Sequence, residues 1–155
     1  MCIRDSRHFQ CARRVDALKL WLAWRVHGDV GFADRIDHAV AMADLARERI
    51  ADSGGEFEIV VAGDFTNVVF VWKPPDLRGI PIDELSTEQR EQLHQTPAPI
   101  KARLQQTGAA MLGYQPVDGL NTFRLLFMNP AVEPGDIEAT LAAIAQAGTE
   151  LVESR

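Results

Sequence analysis

An α+β fold is predicted for this chain, with a small antiparallel sheet and helices on one side, and three observations predict it. The elements read in the order α-α-β-β-α-β-β-α. Asp118-Gly119 sits between two apolar runs, a strong hairpin signal. The last segment repeats Ile137, Leu141, Ile144 and Leu151 at helical spacing, which marks a helix with one buried stripe. Helices segregated from hairpin-linked strands pack naturally against one face of such a sheet.

In chain order, the first helix is expected from Arg13 to His27, stopped by Gly28, with Asp29-Val30-Gly31 as a hinge. A second helix should cover Phe32 to Ala51, because Phe32, Ile36, Ala39, Val40, Ala43 and Ala46 share a face. Ser53-Gly54-Gly55 ends it. Phe57 to Ala62 contains the β-branched run Ile59-Val60-Val61 and reads as a strand, Gly63-Asp64 as a turn, and Thr66 to Trp72 as a second strand. Lys73-Pro74-Pro75 stops that strand, since proline has no N–H to donate. A polar connection leads to Ser86, an N-cap for Thr87 to Gln95 with Gln89 at the capping-box position. Pro97 and Pro99 are expected to interrupt the helical pattern, which resumes from Ile100 to Gln106 and stops at Gly108. Strands at Ala110 to Gln115 and Leu120 to Met128 flank the hairpin, and Pro134 stands near the start of the last helix.

Composition narrows the function. The chain has 155 residues and a formal net charge of -6 with acid and base interspersed, so no basic stripe points to nucleic acid. The apolar runs are too short to span a bilayer, so no membrane partner is expected. With two cysteines, Cys2 and Cys11, a disulfide framework is not expected and a reducing cytoplasm is the default location. His8, His27, His38 and His94 show no ligand spacing, so no metal site is expected. Met1-Cys2-Ile3-Arg4-Asp5-Ser6 lacks the apolar core of a secretory signal, and residues 1–8 are read as a non-native leader.

The segment Ala17 to Trp24 is apolar except for Lys19. A helix apolar on nearly every face has to be buried on every face, and the expectation is that this chain alone leaves it uncovered. Lys19 lies three residues from Asp16, so an ion pair on one helix face is expected, not a nucleophilic amine. Arg124 alternates with Phe123 and Leu125 in an otherwise apolar strand. Either it faces solvent on the open side of the sheet, or its planar fork captures a carboxylate. Cys11, beside Arg13 and Arg14, reads as a small buried cysteine or a reactive thiol. Tyr114 and Gln115 read as hairpin residues.

Several motifs in order resemble one family. They are Gln10-Cys11-Ala12-Arg13 with Leu18-Lys19-Leu20-Trp21, Thr66-Asn67-Val68-Val69-Phe70-Val71-Trp72, Gly113-Tyr114-Gln115-Pro116, Asn121-Thr122-Phe123-Arg124 and Asn129-Pro130-Ala131. Together they resemble group II pyridoxal-phosphate-dependent amino-acid decarboxylases, the glutamate and cysteine-sulfinate branch. Ala12 departs from that branch, which usually carries glycine there.

The resemblance implies the C-terminal small domain of a fold-type I pyridoxal-phosphate enzyme, preceded by the interdomain helix. On that division, residues 9–30 close the large domain and form the interdomain helix, and residues 31–155 form the small domain. The parent is expected to be a homodimeric carboxy-lyase for glutamate, aspartate or cysteine sulfinate, with a large domain N-terminal to this chain. Pyridoxal 5′-phosphate would act there as electron sink for the carbanion left by carbon dioxide. The resemblance implies that Arg124 holds a substrate carboxylate and that Gln10, Cys11, Arg13 and Arg14 lie near the active site. No catalytic residue is expected in this chain, because the family's Asn-Pro-His-Lys motif does not occur in it. The chain by itself should therefore be inactive. The alternatives are a stand-alone α+β binding or regulatory module, or part of an aromatic-amino-acid decarboxylase.

Overall fold

A computed structural model describes residues 16–63 and 65–154. The chain divides into two compact units, Met1–Arg35 and Ile36–Arg155. Helix α1 spans Asp16–Ala51 and is broken at Gly28, whose φ of 66° and ψ of -177° are not helical. A positive φ suits glycine, which has no Cβ to clash with the following carbonyl. The expected stop at Gly28 is therefore present, but the expected hinge at Asp29-Val30-Gly31 is not. Those residues are already helical, so one glycine absorbs the whole change of direction. In the first unit the break is bridged locally. Trp24 stacks on Phe32 at 4.6 Å between ring centroids and donates from Nε1 to Asp29 at 2.5 Å.

The second unit holds a four-stranded antiparallel sheet in the order β1-β2-β4-β3. The strands are β1 (Phe57–Val61), β2 (Asn67–Trp72), β3 (Gly113–Val117) and β4 (Leu120–Leu126). The β3–β4 hairpin closes through Asp118 (φ 48°) and Gly119 (φ 76°), with Val117 opposite Leu120. Two successive positive φ values make a turn whose twist matches the strands, as the Asp-Gly pair predicts. Asp64, half of the expected Gly63-Asp64 turn, lies outside the described residues.

Side chains alternate between the two faces of the sheet. Val68, Phe70, Trp72 and Phe123 point to one face and are buried there. Against them pack Ala43, Ala46 and Ile50 of α1, Ile100 and Leu104 of α3 (Pro97–Thr107), and Ile137, Leu141 and Ile144 of α4 (Pro134–Glu153). These three helices lie on one side, as expected, whereas α2 (Thr87–His94) packs on the other face through Leu93. The stripe foreseen on α1 contributes only its C-terminal part, because Ile36 is 50% exposed. Gly148 lets α4 approach the sheet, since a Cβ there would stand 2.5 Å from the Trp72 ring. Arg103 of α3 donates to Glu150 of α4 at 2.8 Å, and this hydrogen bond, with one from Gln146, holds the Glu150 carboxyl below its ordinary pKa.

The polar connection after Trp72 carries two short 3-10 turns, Pro75–Leu77 and Ile82–Glu84, before α2 (Thr87–His94). Leu77, Ile82 and Leu93 from this stretch form a second cluster with Val71 and Leu120, which point to the other sheet face. The capping box of α2 is complete. Ser86 accepts from the Gln89 N–H at 3.2 Å, and Gln89 accepts from the Ser86 N–H at 2.9 Å. Pro97 and Pro99 do not interrupt a helix, as expected, but sit in the first turn of α3, where a missing N–H leaves no intrahelical bond unmade.

Candidate functional site

One end of the second sheet face is closed by residues 73–95, and the other end is open. At the closed end, Lys73 is 2% exposed and its ammonium pairs with Glu58 while donating to the Ile80 carbonyl. Glu58 also accepts from the Ile82 N–H at 3.1 Å. Glu56, on the same strand's approach, accepts from Arg78 at 2.6 Å and from the Trp72 indole at 3.3 Å. The two carboxylates thus staple the connection to β1. A cavity of about 440 Å³ lies beside this staple, lined by Phe57, Glu58, Lys73, Gly79 and Pro81 among others.

At the open end stands Arg124, in the middle of β4. Val69 of β2 is its partner on one side and Gly113 of β3 on the other. Gly113 has open space where a Cβ would sit, so the direct β3 partner of Arg124 projects no side chain beside it. Asn67, at the start of β2 and diagonal to Arg124, accepts the Arg124 Nε–H on its amide oxygen at 3.0 Å. No carboxylate pairs with Arg124 among the described residues. Of the two readings open from the sequence, exposure on the open face is what this chain displays. An exposed arginine with a fixed Nε and an end edge unpaired among the described residues can take a carboxylate in a bidentate manner.

The remaining expected positions separate into two groups. Gln10, Cys11, Arg13 and Arg14 lie outside the described residues. Lys19 pairs with Asp16 at 3.3 Å on an exposed helix face, as its spacing predicts. Tyr114 and Gln115 are paired in the hairpin opposite Phe123 and Thr122. The ring of Tyr114 lies under the Lys101 ammonium at 5.2 Å. Sequence reading missed Asn67 as a partner of Arg124, and it missed the Lys73–Glu58 pair. The available signal was a polar residue at the head of an apolar strand, but only the β2–β4 register brings it beside Arg124.

A cofactor that forms a Schiff base needs an amine that is free to react. The chain has three lysines: Lys73 is buried and paired with Glu58 and the Ile80 carbonyl, Lys19 is exposed and Lys101 half-buried, and none stands in an Asn-Pro-His-Lys sequence. The residues present therefore do not fit such a group by themselves.

The pyridoxal-dependent decarboxylase conserved domain matches residues 2–73, a match that begins inside the segment read as a leader. The cysteine sulfinic acid decarboxylase of Rattus norvegicus is 38% identical over 143 residues, covering 92% of this chain and 28% of that protein. A crystal structure of mouse CSAD in apo form superposes with a TM-score of 0.79 at 38% identity, over 90% of this chain and 29% of that one. Residues 2–73 match the conserved domain of the pyridoxal-dependent decarboxylases, and the chain as a whole is similar to such decarboxylases. A crystal structure of Catharanthus roseus tryptophan decarboxylase in complex with L-tryptophan is also similar, at 26% identity and a TM-score of 0.67, covering 90% of this chain and 26% of that one. Identity is higher to the sulfinate enzymes than to the aromatic one, in line with the branch that the motifs resemble. The chain spans 28% of the length of the curated relatives it matches.

Proposed function

We propose that this chain is the carboxylate-recognising part of a pyridoxal-phosphate-dependent α-decarboxylase of an acidic amino acid, namely glutamate, aspartate or cysteine sulfinate. Arg124 carries the reading: it is anchored at Nε, unpaired at its end edge among the described residues, and flanked by the space over Gly113. The side-chain acid group of the substrate would bind there and orient the molecule. The pyridoxal phosphate would be held by residues outside this chain, since no lysine here stands in the family's Asn-Pro-His-Lys motif, and the chain alone would not decarboxylate. Support also comes from the exposed apolar helix at 16–28, which a large domain N-terminal to this chain and a second subunit of a homodimer would cover. The scarcity of cysteine supports a reducing, cytoplasmic setting.

Arg124→Lys in the enzyme that contains this chain tests the reading. Lysine keeps the charge but loses the fork. Loss of a charge-assisted pair should cost roughly 2–4 kcal/mol, or about 30- to 1000-fold in kcat/KM for the acidic substrate. Cofactor absorbance and thermal stability should stay at wild-type levels, because a substrate contact is absent from the resting enzyme. Unaltered kinetics would remove Arg124 from the site.

A further inference from the structure

We propose that Asn67 is the positioning residue for Arg124 and sets the preference for a charged over a neutral substrate side chain. The proposal rests on the reading of Arg124 given above. A guanidinium can meet a carboxylate along its side edge, through Nε and one Nη, or along its end edge, through both Nη atoms. The Asn67 amide oxygen already takes the Nε–H at 3.0 Å. That occupies the side edge and leaves the end edge as the docking face.

The choice of residue type at 67 matters as much as its place. An aspartate there would accept the same N–H and hold the arginine more strongly, but it would also cancel the positive charge. A neutral amide oxygen orients the guanidinium and leaves its full charge for the substrate. Asn67 is itself held from behind. Its carbonyl accepts from Arg47 at 3.4 Å, and Arg47 also donates to the Phe65 carbonyl and to Asp44 at 2.6 Å. Arg47 belongs to α1 and its side chain is 15% exposed, so the entry to β2 is tied to the covered core. The register adds the second constraint: Asn67 faces Leu126 and Val69 faces Arg124, which places Asn67 and Arg124 diagonally on one sheet face. With Gly113 on the far side, the arginine has one neighbour that directs it and one that leaves room.

The experiment uses the enzyme that contains this chain and compares the acidic amino acid with its side-chain amide. Asn67→Ala should raise KM for the acidic substrate about tenfold with kcat changed far less, since a lost orientation of a binding group weakens uniform binding. Asn67→Asp should lower the acid-to-amide ratio of kcat/KM further than Asn67→Ala does, at an unchanged melting temperature. A merely structural residue would instead lower the melting temperature and reduce both substrates in parallel, and that result overturns the proposal. So does an unchanged acid-to-amide ratio in Asn67→Asp. Arg124→Gln, measured alongside, separates the two levels. If it leaves acidic turnover intact, the reading of Arg124 fails and Asn67 falls with it. If it abolishes the acid preference while both Asn67 variants behave as wild type, only the role of Asn67 is overturned.

Discussion

The two ends of helix α1 differ in a way that runs against their composition. Its N-terminal part carries the larger apolar side chains, yet Leu18, Leu20, Trp21, Leu22, Trp24 and Val26 are all exposed, from 46% for Trp24 to 76% for Val26. Its C-terminal part buries three alanines and an isoleucine, Ala39, Ala43, Ala46 and Ile50. Ala43, Ala46 and Ile50 share one buried cluster with Phe70 and Trp72 of the sheet. Hydrophobicity alone therefore does not decide burial. What decides it is whether the chain supplies a complementary surface, and among the described residues it does so for the second part only. The ion pairs repeat the contrast. Lys19–Asp16 is 64% and 79% exposed and Lys73–Glu58 is 2% and 32% exposed, although each is a lysine beside a carboxylate.

Removing Lys73 should give the largest effect in the covered unit. Lys73→Met leaves Glu58 with one backbone partner and no counter-charge. Breaking a buried pair on one side costs about 3–5 kcal/mol, and the partial exposure of Glu58 places this one near the lower end, at about 3 kcal/mol. Urea denaturation of the chain measures it. Adding Glu58→Leu to Lys73→Met should recover much of the loss, because two apolar groups carry no desolvation penalty. If the double variant is no better than the single one, the pair contributes to the fold through something other than its charges.

Gly148 gives a smaller effect of a different kind. Gly148→Ala would place a methyl group 2.5–2.7 Å from three atoms of the Trp72 ring, and Trp72 is fully buried. Overpacking of this sort costs about 1–3 kcal/mol, while alanine in place of glycine returns up to about 1 kcal/mol of helix propensity. A net loss of about 1–2 kcal/mol in the same denaturation experiment is expected. A gain in stability would mean that α4 moves off the sheet freely, and that its contact with β2 is looser than the burial of Trp72 indicates.

Local signals were legible in this sequence wherever the structure they specify is local. Asp118-Gly119 made its turn, Ser86 and Gln89 made their capping box, and Gly28 broke its helix, because each depends on neighbours within a few residues. The prolines misled: both Pro97 and Pro99 fit the first turn of α3, and a rule that treats proline as a breaker overlooks the N-terminal exception. The 3-10 turns after Trp72 were not legible, since they follow from Leu77 and Ile82 reaching Val71 and Leu120. At the candidate site, Arg124 could be singled out as the charged residue in an apolar strand. Its partner could not, because residues 67 and 124 meet only through the pairing of β2 with β4.

The smallest effect on stability should come from the most conspicuous residue in the uncovered helix. Trp21 is 57% exposed, and among the described residues the Arg25 guanidinium lies 5.9 Å from its ring centroid. Replacing an exposed side chain away from any packed contact changes stability by no more than about 0.5 kcal/mol, so Trp21→Glu should leave the urea midpoint of the chain where it was. Self-association is a separate matter. A helix of about twelve residues is marginal in water on its own, and an apolar face of this size favours contact with another apolar surface. Trp21→Glu sets a charge in the middle of that face, so sedimentation velocity should show a larger monomer fraction at the same concentration. If the substitution instead lowers the unfolding free energy from urea denaturation by more than about 1 kcal/mol, it exceeds what exposed positions give. Trp21 would then be covered within the monomer, and the contrast between the two ends of α1 would dissolve.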